Sequence, residues 1–227
     1  MMFRDRREAG QKLGQALANY KADQPVIYAL PRGGVEVAAG VAIVLEAPLE
    51  LLLVRKIGLP WQPELAMGSV IDGGEPMVFR NEEVLATVRI ADEVFNTACG
   101  RELAEIERRR RRYLGDRVPL DPKGRVAIVV DDGIATGATM KVALMALRRR
   151  QPKLIVLAVP VAARQSLQAL RKDADRLICL ETPEDLVAIG YYYQEFRQLD
   201  DDDVVRLLAE VRAAGVPRAQ PPPAEAG

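Results

Sequence analysis

The chain has 227 residues, of which 49% are hydrophobic and 28% charged, as is typical of a globular protein with one sizeable core. Lysine plus arginine equal aspartate plus glutamate at 32 each, so the composition offers no overall basic field for nucleic acid. The absence of histidine excludes Ser-His-Asp and Cys-His catalysis and histidine-ligated zinc. The sequence shows neither an apolar run of about 20 residues nor a signal-peptide core, so we expect a cytoplasmic protein without a membrane span.

Hydrophobic periodicity predicts strands that alternate with helices. The first helix is predicted over residues 4–20, where Leu13, Leu17 and Tyr20 recur at spacings of three and four. Continuous Val, Ile and Leu runs, bounded by turn residues, predict five buried strands. These strands cover residues 26–30, 49–54, 125–130, 154–161 and 176–180. Further helices are predicted over residues 35–46, 81–114, 140–150, 163–172 and 201–213.

The second and third predicted strands are too far apart for an ordinary connection. Residues 56–68 are rich in Gly and Pro and predict a long loop, which we interpret as a candidate lid. Residues 69–79 predict a hairpin around Asp72-Gly73-Gly74. We therefore predict an insertion over residues 57–120 that carries a hairpin and a long charged helix.

The element order predicts an α/β fold: a doubly wound, mostly parallel five-stranded sheet with helices on both faces. We expect one domain over residues 1–213, with small hood elements from residues 181–200. The Pro-rich residues 214–227 cannot form a core and are predicted to be a disordered tail.

The loop after the third strand carries the strongest chemical signal. Asp131 and Asp132 leave a buried strand, and a Gly- and Thr-containing segment over residues 133–139 then leads into a helix. Amides at a helix N-terminus bind phosphate, while paired carboxylates accept hydrogen bonds from sugar hydroxyls or Mg²⁺-bound water. The pattern therefore favours a ribose 5-phosphate site.

Three alternatives compete for this loop. A Walker loop needs a GxxxxGK[ST] spacing, which residues 133–137 lack. A receiver-type acidic pocket would leave the Thr-Gly-Ala-Thr segment without a role. The third alternative is a capped helix start with two solvated acids.

The segment VAIVVDDGIATGAT (126–139) resembles the signature that binds 5-phosphoribosyl 1-pyrophosphate (PRPP) in type I phosphoribosyltransferases. ALPRGG (29–34) is similar to the pyrophosphate loop of that family, and LLLVRKIGLP (51–60) to its second strand and flexible-loop entry. The resemblance covers residues 2–213 and is strongest to bacterial phosphoribosyltransferase-domain proteins of unassigned function.

The resemblance implies transfer of ribose 5-phosphate from PRPP to a nitrogenous base, with Mg²⁺ as cofactor. It implies catalytic roles for Asp131, Asp132 and Lys56, with Mg²⁺ held by the two aspartates through water. It also implies that the Pro31–Arg32 peptide bond is cis. The substrate-binding residues that it implies are Arg32, Gly33, Gly34, Arg55, Ala135, Thr136, Gly137, Ala138, Thr139, Tyr192 and Tyr193.

Two features keep further alternatives open. Tyr192 and Tyr193 belong to an aromatic group that is suited either to stacking on a base or to hood or dimer packing. The arginine run over residues 108–112 is most simply a solvated helix face, although it could hold an anionic partner.

We expect PRPP and a nucleobase-like molecule as partners, a homodimer, and no membrane or nucleic acid. The alternative functions are a non-catalytic PRPP-binding regulator and a hydrolase or phosphorylase that acts on a ribosyl compound.

Overall fold

The architecture combines a five-stranded and a three-stranded sheet, as seen in a computed structural model that describes residues 2–72 and 76–216. The strands are β1 (Val26–Ala29), β2 (Leu49–Leu51), β3 (Val54–Leu59), β4 (Gln62–Ile71), β5 (Met77–Arg80), β6 (Val126–Val130), β7 (Leu154–Val161) and β8 (Arg176–Glu181). The helices are α1 (Arg6–Ala16), α2 (Gly33–Leu45), α3 (Glu82–Val88), α4 (Asp92–Leu114), α5 (Ala138–Arg149), α6 (Arg164–Leu170) and α7 (Asp201–Ala213).

The larger sheet has the strand order β2-β1-β6-β7-β8, and every neighbouring pair is parallel. Its side chains alternate between two hydrophobic layers because successive residues of a strand point to opposite faces. Ile27 and Ala29 pack with α1, α2 and α7, whereas Val26 and Tyr28 pack with α5 and α6. The predicted parallel sheet with helices on both faces is confirmed.

The insertion forms a small antiparallel sheet of order β3-β4-β5, with α3 and α4 following it. The prediction of a long loop over residues 56–68 is wrong, because most of this segment lies in β3 and β4. Register shifts on both sides of Gly58 interrupt their pairing, so the side-chain alternation that marks a strand is weak in the sequence. The predicted hairpin is supported by the pairing of Ile71 with Met77, and its turn at residues 73–75 lies outside the described residues.

Three boundaries differ from the predictions for local reasons. The Asp5 side chain accepts a hydrogen bond from Glu8 N and caps α1, which ends at Ala16 before a 3₁₀ turn over Ala18–Asp23. Residues 81–114 form two helices rather than one, because Arg89 adopts a left-handed conformation after α3. The insertion begins at β3, three residues before the predicted start.

At the end of the chain, α7 stops at Ala213 as predicted, and residues 217–227 of the predicted tail lie outside the described residues. Within residues 2–72 and 76–216, none of the helices combines the length and apolar composition that a membrane span requires.

Candidate functional site

Two loops meet at the carboxyl edge of the large sheet. β1 and β6 are neighbouring parallel strands, so the loop at residues 31–34 lies beside Asp131 and Asp132. The Pro31–Arg32 peptide bond is cis, as the family resemblance predicts. A Cβ atom on Gly34 would lie 2.8 Å from Asp131 Oδ1, so the two loops are in direct contact.

The two aspartates form a closely coupled acidic pair. Asp132 N donates a hydrogen bond of 2.9 Å to Asp131 Oδ1. Burial, followed by the charge of Asp132, raises the pKa of Asp131 well above its ordinary value. Burial also raises the pKa of Asp132, against the opposing charge of Arg6. Burial, and for Asp131 the neighbouring charge, therefore disfavour the ionised forms, which a cationic or hydrogen-bond-donating ligand would stabilise.

Arg6 and Tyr193 both donate hydrogen bonds to Asp132, and the sequence predicts neither contact. Arg6, at the start of α1, donates from Nε to Asp132 Oδ2 at 2.8 Å, and only 6% of its side chain is exposed. The Tyr193 hydroxyl donates a hydrogen bond of 2.6 Å to the backbone carbonyl of Asp132. No local motif marks Arg6, because it lies 126 positions from its partner.

The loop after the acidic pair is anchored to β7 and leads into α5. Ile134 N donates to Val161 O at 2.9 Å, and Ala163 N donates to Ile134 O at 2.9 Å. Gly137 caps α5 with a positive φ of 78°. Ala135, Thr136 and Ala138 are exposed, and Gly137 and Thr139 are half-buried. The first amides of α5 lack intrahelical acceptors, so this turn offers donors and a positive dipole end to an anion.

Arg55 and Lys56, two site residues that the family resemblance implies, lie next to each other in β3. Arg55 and Lys56 are consecutive residues of β3, so their side chains point to opposite faces of the strand. Arg55 Nε donates to Glu102 Oε2 of α4 at 2.7 Å, which turns this guanidinium toward α4. The predicted roles of Arg55 in substrate binding and of the exposed Lys56 in catalysis both stay predictions.

The aromatic residues near the site are mainly packing residues. Tyr193 is 5% exposed, with its ring 5.5 Å from that of Phe3 and stacked on that of Phe196 at 5.0 Å. This arrangement favours hood packing over base stacking for the Tyr193 ring, and its predicted substrate contact stays a prediction. Tyr192 is half-buried and stays a candidate, whereas Tyr191 is 69% exposed.

Arg32 points toward an ionic network at the start of α7. Its Nη1 lies 4.0 Å from Asp201 Oδ1, which also accepts a hydrogen bond of 2.6 Å from the Tyr113 hydroxyl. The opposite oxygen of Asp201 accepts from Arg108 Nη2 at 3.1 Å. The Arg32 side chain therefore lies near a carboxylate that Tyr113 and Arg108 also contact.

The arginine run of α4 is neutralised within the chain. Each arginine from 108 to 112 has a carboxylate partner. These partners are Glu105, Glu107, Asp201 and Asp202. The pKa of Glu105 is lowered to about 2, chiefly by hydrogen bonding from Arg108. The pKa of Glu107 is also lowered to about 2, chiefly by hydrogen bonding from Arg110. The run therefore presents little unpaired charge to a nucleic acid.

The donor set suits Mg²⁺ that is held mainly by water and substrate. Among residues 2–72 and 76–216, no group of three His, Cys, Asp or Glu side chains could enclose a metal ion. Mg²⁺ commonly uses one or two carboxylates together with waters and phosphate oxygens. The half-buried pair Asp131 and Asp132 fits that requirement.

A parallel sheet that carries a glycine loop, an acidic pair and a helix N-terminus on one carboxyl edge defines the type I phosphoribosyltransferase fold. The sequence matches the phosphoribosyl transferase domain over residues 5–195, and the chain belongs to this family.

Two comparisons extend over most of the chain. A provisionally named phosphoribosyl transferase of Mycobacterium tuberculosis strain H37Rv is 41% identical over 209 residues, which are 91% of this chain and 46% of that protein. The chain thus spans about half the length of the curated relatives it matches. The crystal structure of TT1426 from Thermus thermophilus is 39% identical with a TM-score of 0.78, covering 92% of this chain and 99% of that one.

Proposed function

We propose that the chain transfers ribose 5-phosphate from PRPP to a purine- or pyrimidine-type base, as in nucleotide salvage, and releases pyrophosphate. The observation that carries this proposal is the contact of the loop at residues 31–34 with Asp131 and Asp132, beside the α5 N-terminus. These three elements offer sites for a pyrophosphate, a sugar diol and a single phosphate at one edge of the sheet.

The 5-phosphate would bind at residues 135–139. The amides at the start of α5 face this turn, and the Thr136 and Thr139 hydroxyls add two donors. The pyrophosphate would lie against Arg32, Gly33 and Gly34. The absence of side chains at the two glycines lets backbone amides approach the anion, and Arg32 supplies a guanidinium. Lys56 is the candidate for a second cation at this end.

Asp131 and Asp132 would accept hydrogen bonds from the ribose hydroxyls and from Mg²⁺-bound water. When bound, Mg²⁺ neutralises part of the pyrophosphate charge. In the reaction, the bond from ribose C1′ to the pyrophosphate oxygen breaks and a base nitrogen forms the new bond to C1′. The base loses its N–H proton, which the released pyrophosphate or water accepts. The two carboxylates stabilise the positive charge that develops on the sugar.

The proposed transfer requires the protein to position the reactants and to stabilise charge, and it does not require a covalent intermediate. Orientation of the reacting atoms and preorganised charge are large contributors to catalysis. A site without histidine is therefore compatible with the proposed transfer.

The direct test is pyrophosphate release from Mg·PRPP with a panel of purine and pyrimidine bases. We expect release with one class of base and none without a base. Tight PRPP binding without release for any base would support the non-catalytic regulator instead. Release with water or inorganic phosphate alone would support the hydrolase or phosphorylase. The homodimer stays a prediction, which light scattering of the purified chain checks.

A further inference from the structure

Arg6 is a buried charge whose contacts converge on the acidic pair. Only 5% of the residue is exposed. Its Nε donates to Asp132 Oδ2 at 2.8 Å, and its Nη1 donates to the Arg197 carbonyl at 2.8 Å. The guanidinium carbon lies 3.8 Å from the ring centroid of Phe196. Two hydrogen bonds and a stacked ring leave this guanidinium little freedom to turn.

The contact determines which oxygen of Asp132 faces a ligand. Oδ2 accepts the hydrogen bond from Arg6. It also lies against Gly33, where an added Cβ atom would be only 2.0 Å from it. A carboxylate that is held through one oxygen cannot rotate freely. Oδ1 is then the oxygen that remains for a ribose hydroxyl or a Mg²⁺-bound water.

Arg6 also changes the charge that a ligand meets. Asp131 and Asp132 are adjacent, half-buried and of the same sign, so their repulsion opposes ionisation of both. The Arg6 guanidinium offsets one of these charges. Mg·PRPP is itself a net anion, and a site with two uncompensated carboxylates would repel it.

We propose that Arg6 is a positioning residue of the PRPP site, an inference that rests on the proposed function. It acts through Asp132, whose carboxylate it orients and whose charge it partly balances. The N-terminal helix thereby becomes a functional part of the site rather than only a packing element.

The surrounding backbone would keep its place without this side chain. Phe3 N donates to Tyr192 O at 2.7 Å, and Gln194 N donates to Phe3 O at 2.8 Å. Glu195 N donates to Arg4 O at 2.8 Å. These bonds tie the N-terminal segment to residues 192–195 independently of the Arg6 guanidinium, so a substitution at Arg6 should leave the fold intact.

The test compares three single variants of the full chain by calorimetric titration with Mg·PRPP. Arg6→Met removes the charge and the donors and should weaken PRPP binding about tenfold or more, because hydrogen bonds to charged groups are worth that much. Arg6→Lys keeps the charge but loses the planar fork, so its affinity should fall between those of Arg6→Met and the unsubstituted chain. Arg7→Met is the matched control, since Arg7 pairs with the exposed Glu210, and its affinity should not change.

A double-mutant cycle with Asp132→Asn separates positioning from a general structural role. If Arg6 acts through Asp132, Arg6→Met should cost little further PRPP affinity in the Asp132→Asn chain. An equal loss in both backgrounds, or unchanged affinity of Arg6→Met alone, would overturn the proposal while leaving the proposed function standing. If Arg6→Met does not fold, equal affinities of Arg6→Lys and the unsubstituted chain overturn it. No PRPP binding by the unsubstituted chain would instead overturn the proposed function, and the role of Arg6 with it.

Discussion

Gly33 and Asp132 are in direct contact across the carboxyl edge of the large sheet. A Cβ atom on Gly33 would lie 2.0 Å from Asp132 Oδ2 and 2.7 Å from Asp132 Cγ. Real side chains do not approach so closely, so the residue at position 33 must lack a side chain for the carboxylate to occupy its present place. The glycine of the candidate pyrophosphate loop thus sets the position of a candidate catalytic acid.

Gly33→Ala should therefore displace the Asp132 carboxylate and weaken Mg·PRPP binding by about tenfold or more. Overpacking of this kind costs about 1–3 kcal/mol of folding free energy, which thermal unfolding would detect. The matched control is Gly100→Ala in α4, where a Cβ atom would meet nothing within 4 Å. We expect this control to bind PRPP normally and to gain roughly 0.5–1 kcal/mol from the better helix former. Equal PRPP affinity in the two variants would contradict the proposed packing.

Gly137→Ala should impair the phosphate turn through its backbone. Gly137 has a φ of 78°, and a side chain there would meet Leu170 Cδ1 at 3.1 Å. An alanine in this region costs about 1–2 kcal/mol. Gly124→Ala has a similar φ of 69° with open space around it, and it serves as the control for the backbone penalty. Both variants should lose stability, but only Gly137→Ala should lose PRPP affinity in calorimetry.

The parts of the site that can be predicted from sequence are those whose chemistry is local. Two continuous apolar strands precede these segments: β1 precedes the loop at residues 31–34, and β6 precedes the acidic pair and Gly137. The carboxyl ends of parallel strands lie at the same edge of a sheet. Their convergence therefore follows from the strand pattern alone. The same reasoning predicts the layered sheet, because β6 and β7 are unbroken runs of apolar residues apart from Pro160.

The parts that cannot be predicted depend on distant contacts or on irregular pairing. Arg6 reaches Asp132 over 126 positions, and nothing in MMFRDRREAG distinguishes it from a solvated arginine. Tyr193 resembles a base-stacking residue in the sequence, because its packing against Phe3 joins opposite ends of the chain and leaves no local signal. Residues 56–68 resemble a loop in the sequence because they contain several Gly and Pro residues. The pairing of β3 with β4 also shifts in register on both sides of Gly58, which weakens the alternation of side chains.

Asp131→Asn should raise stability at neutral pH while abolishing PRPP binding. Burial raises the pKa of Asp131 in the folded chain, so its ionised form opposes folding. The favourable contribution of the neutral acid is complete below the unfolded pKa of about 3.9 and is lost as the pH rises through the folded pKa. The gain in melting temperature of the variant should therefore be small near pH 4 and should grow toward pH 7.

The control for this pH dependence is Asp185→Asn, at an exposed acid, which should show no such pH-dependent gain. A melting temperature for Asp131→Asn below that of the unsubstituted chain at pH 7 would contradict the account.

Tyr193→Phe should reduce turnover without changing the apparent affinity for the base. The variant keeps the ring packing and removes only the hydroxyl that donates to the Asp132 carbonyl at 2.6 Å. Loss of this bond should cost about 1–3 kcal/mol of stability, because it leaves a partly buried acceptor unsatisfied. Tyr191→Phe, at a residue that is 69% exposed, should behave as the unsubstituted chain. An increased KM for the base in Tyr193→Phe with unchanged kcat would instead indicate that the hydroxyl contacts the base.

Asp132→Asn tests whether Asp132 takes part in the transfer of a ribosyl group. The amide keeps the size of the side chain and removes one negative charge near the developing sugar cation. An interaction made mainly in the transition state lowers kcat and kcat/KM together. The loss of about 2–4 kcal/mol expected for one preorganised charged group corresponds to a rate reduction on the order of a hundredfold or more.

The measurement is steady-state pyrophosphate release from Mg·PRPP with the accepted base, alongside calorimetric PRPP affinity. The account predicts that release by Asp132→Asn falls by this factor while PRPP affinity falls much less. Pyrophosphate release by Asp132→Asn at the rate of the unsubstituted chain would contradict it.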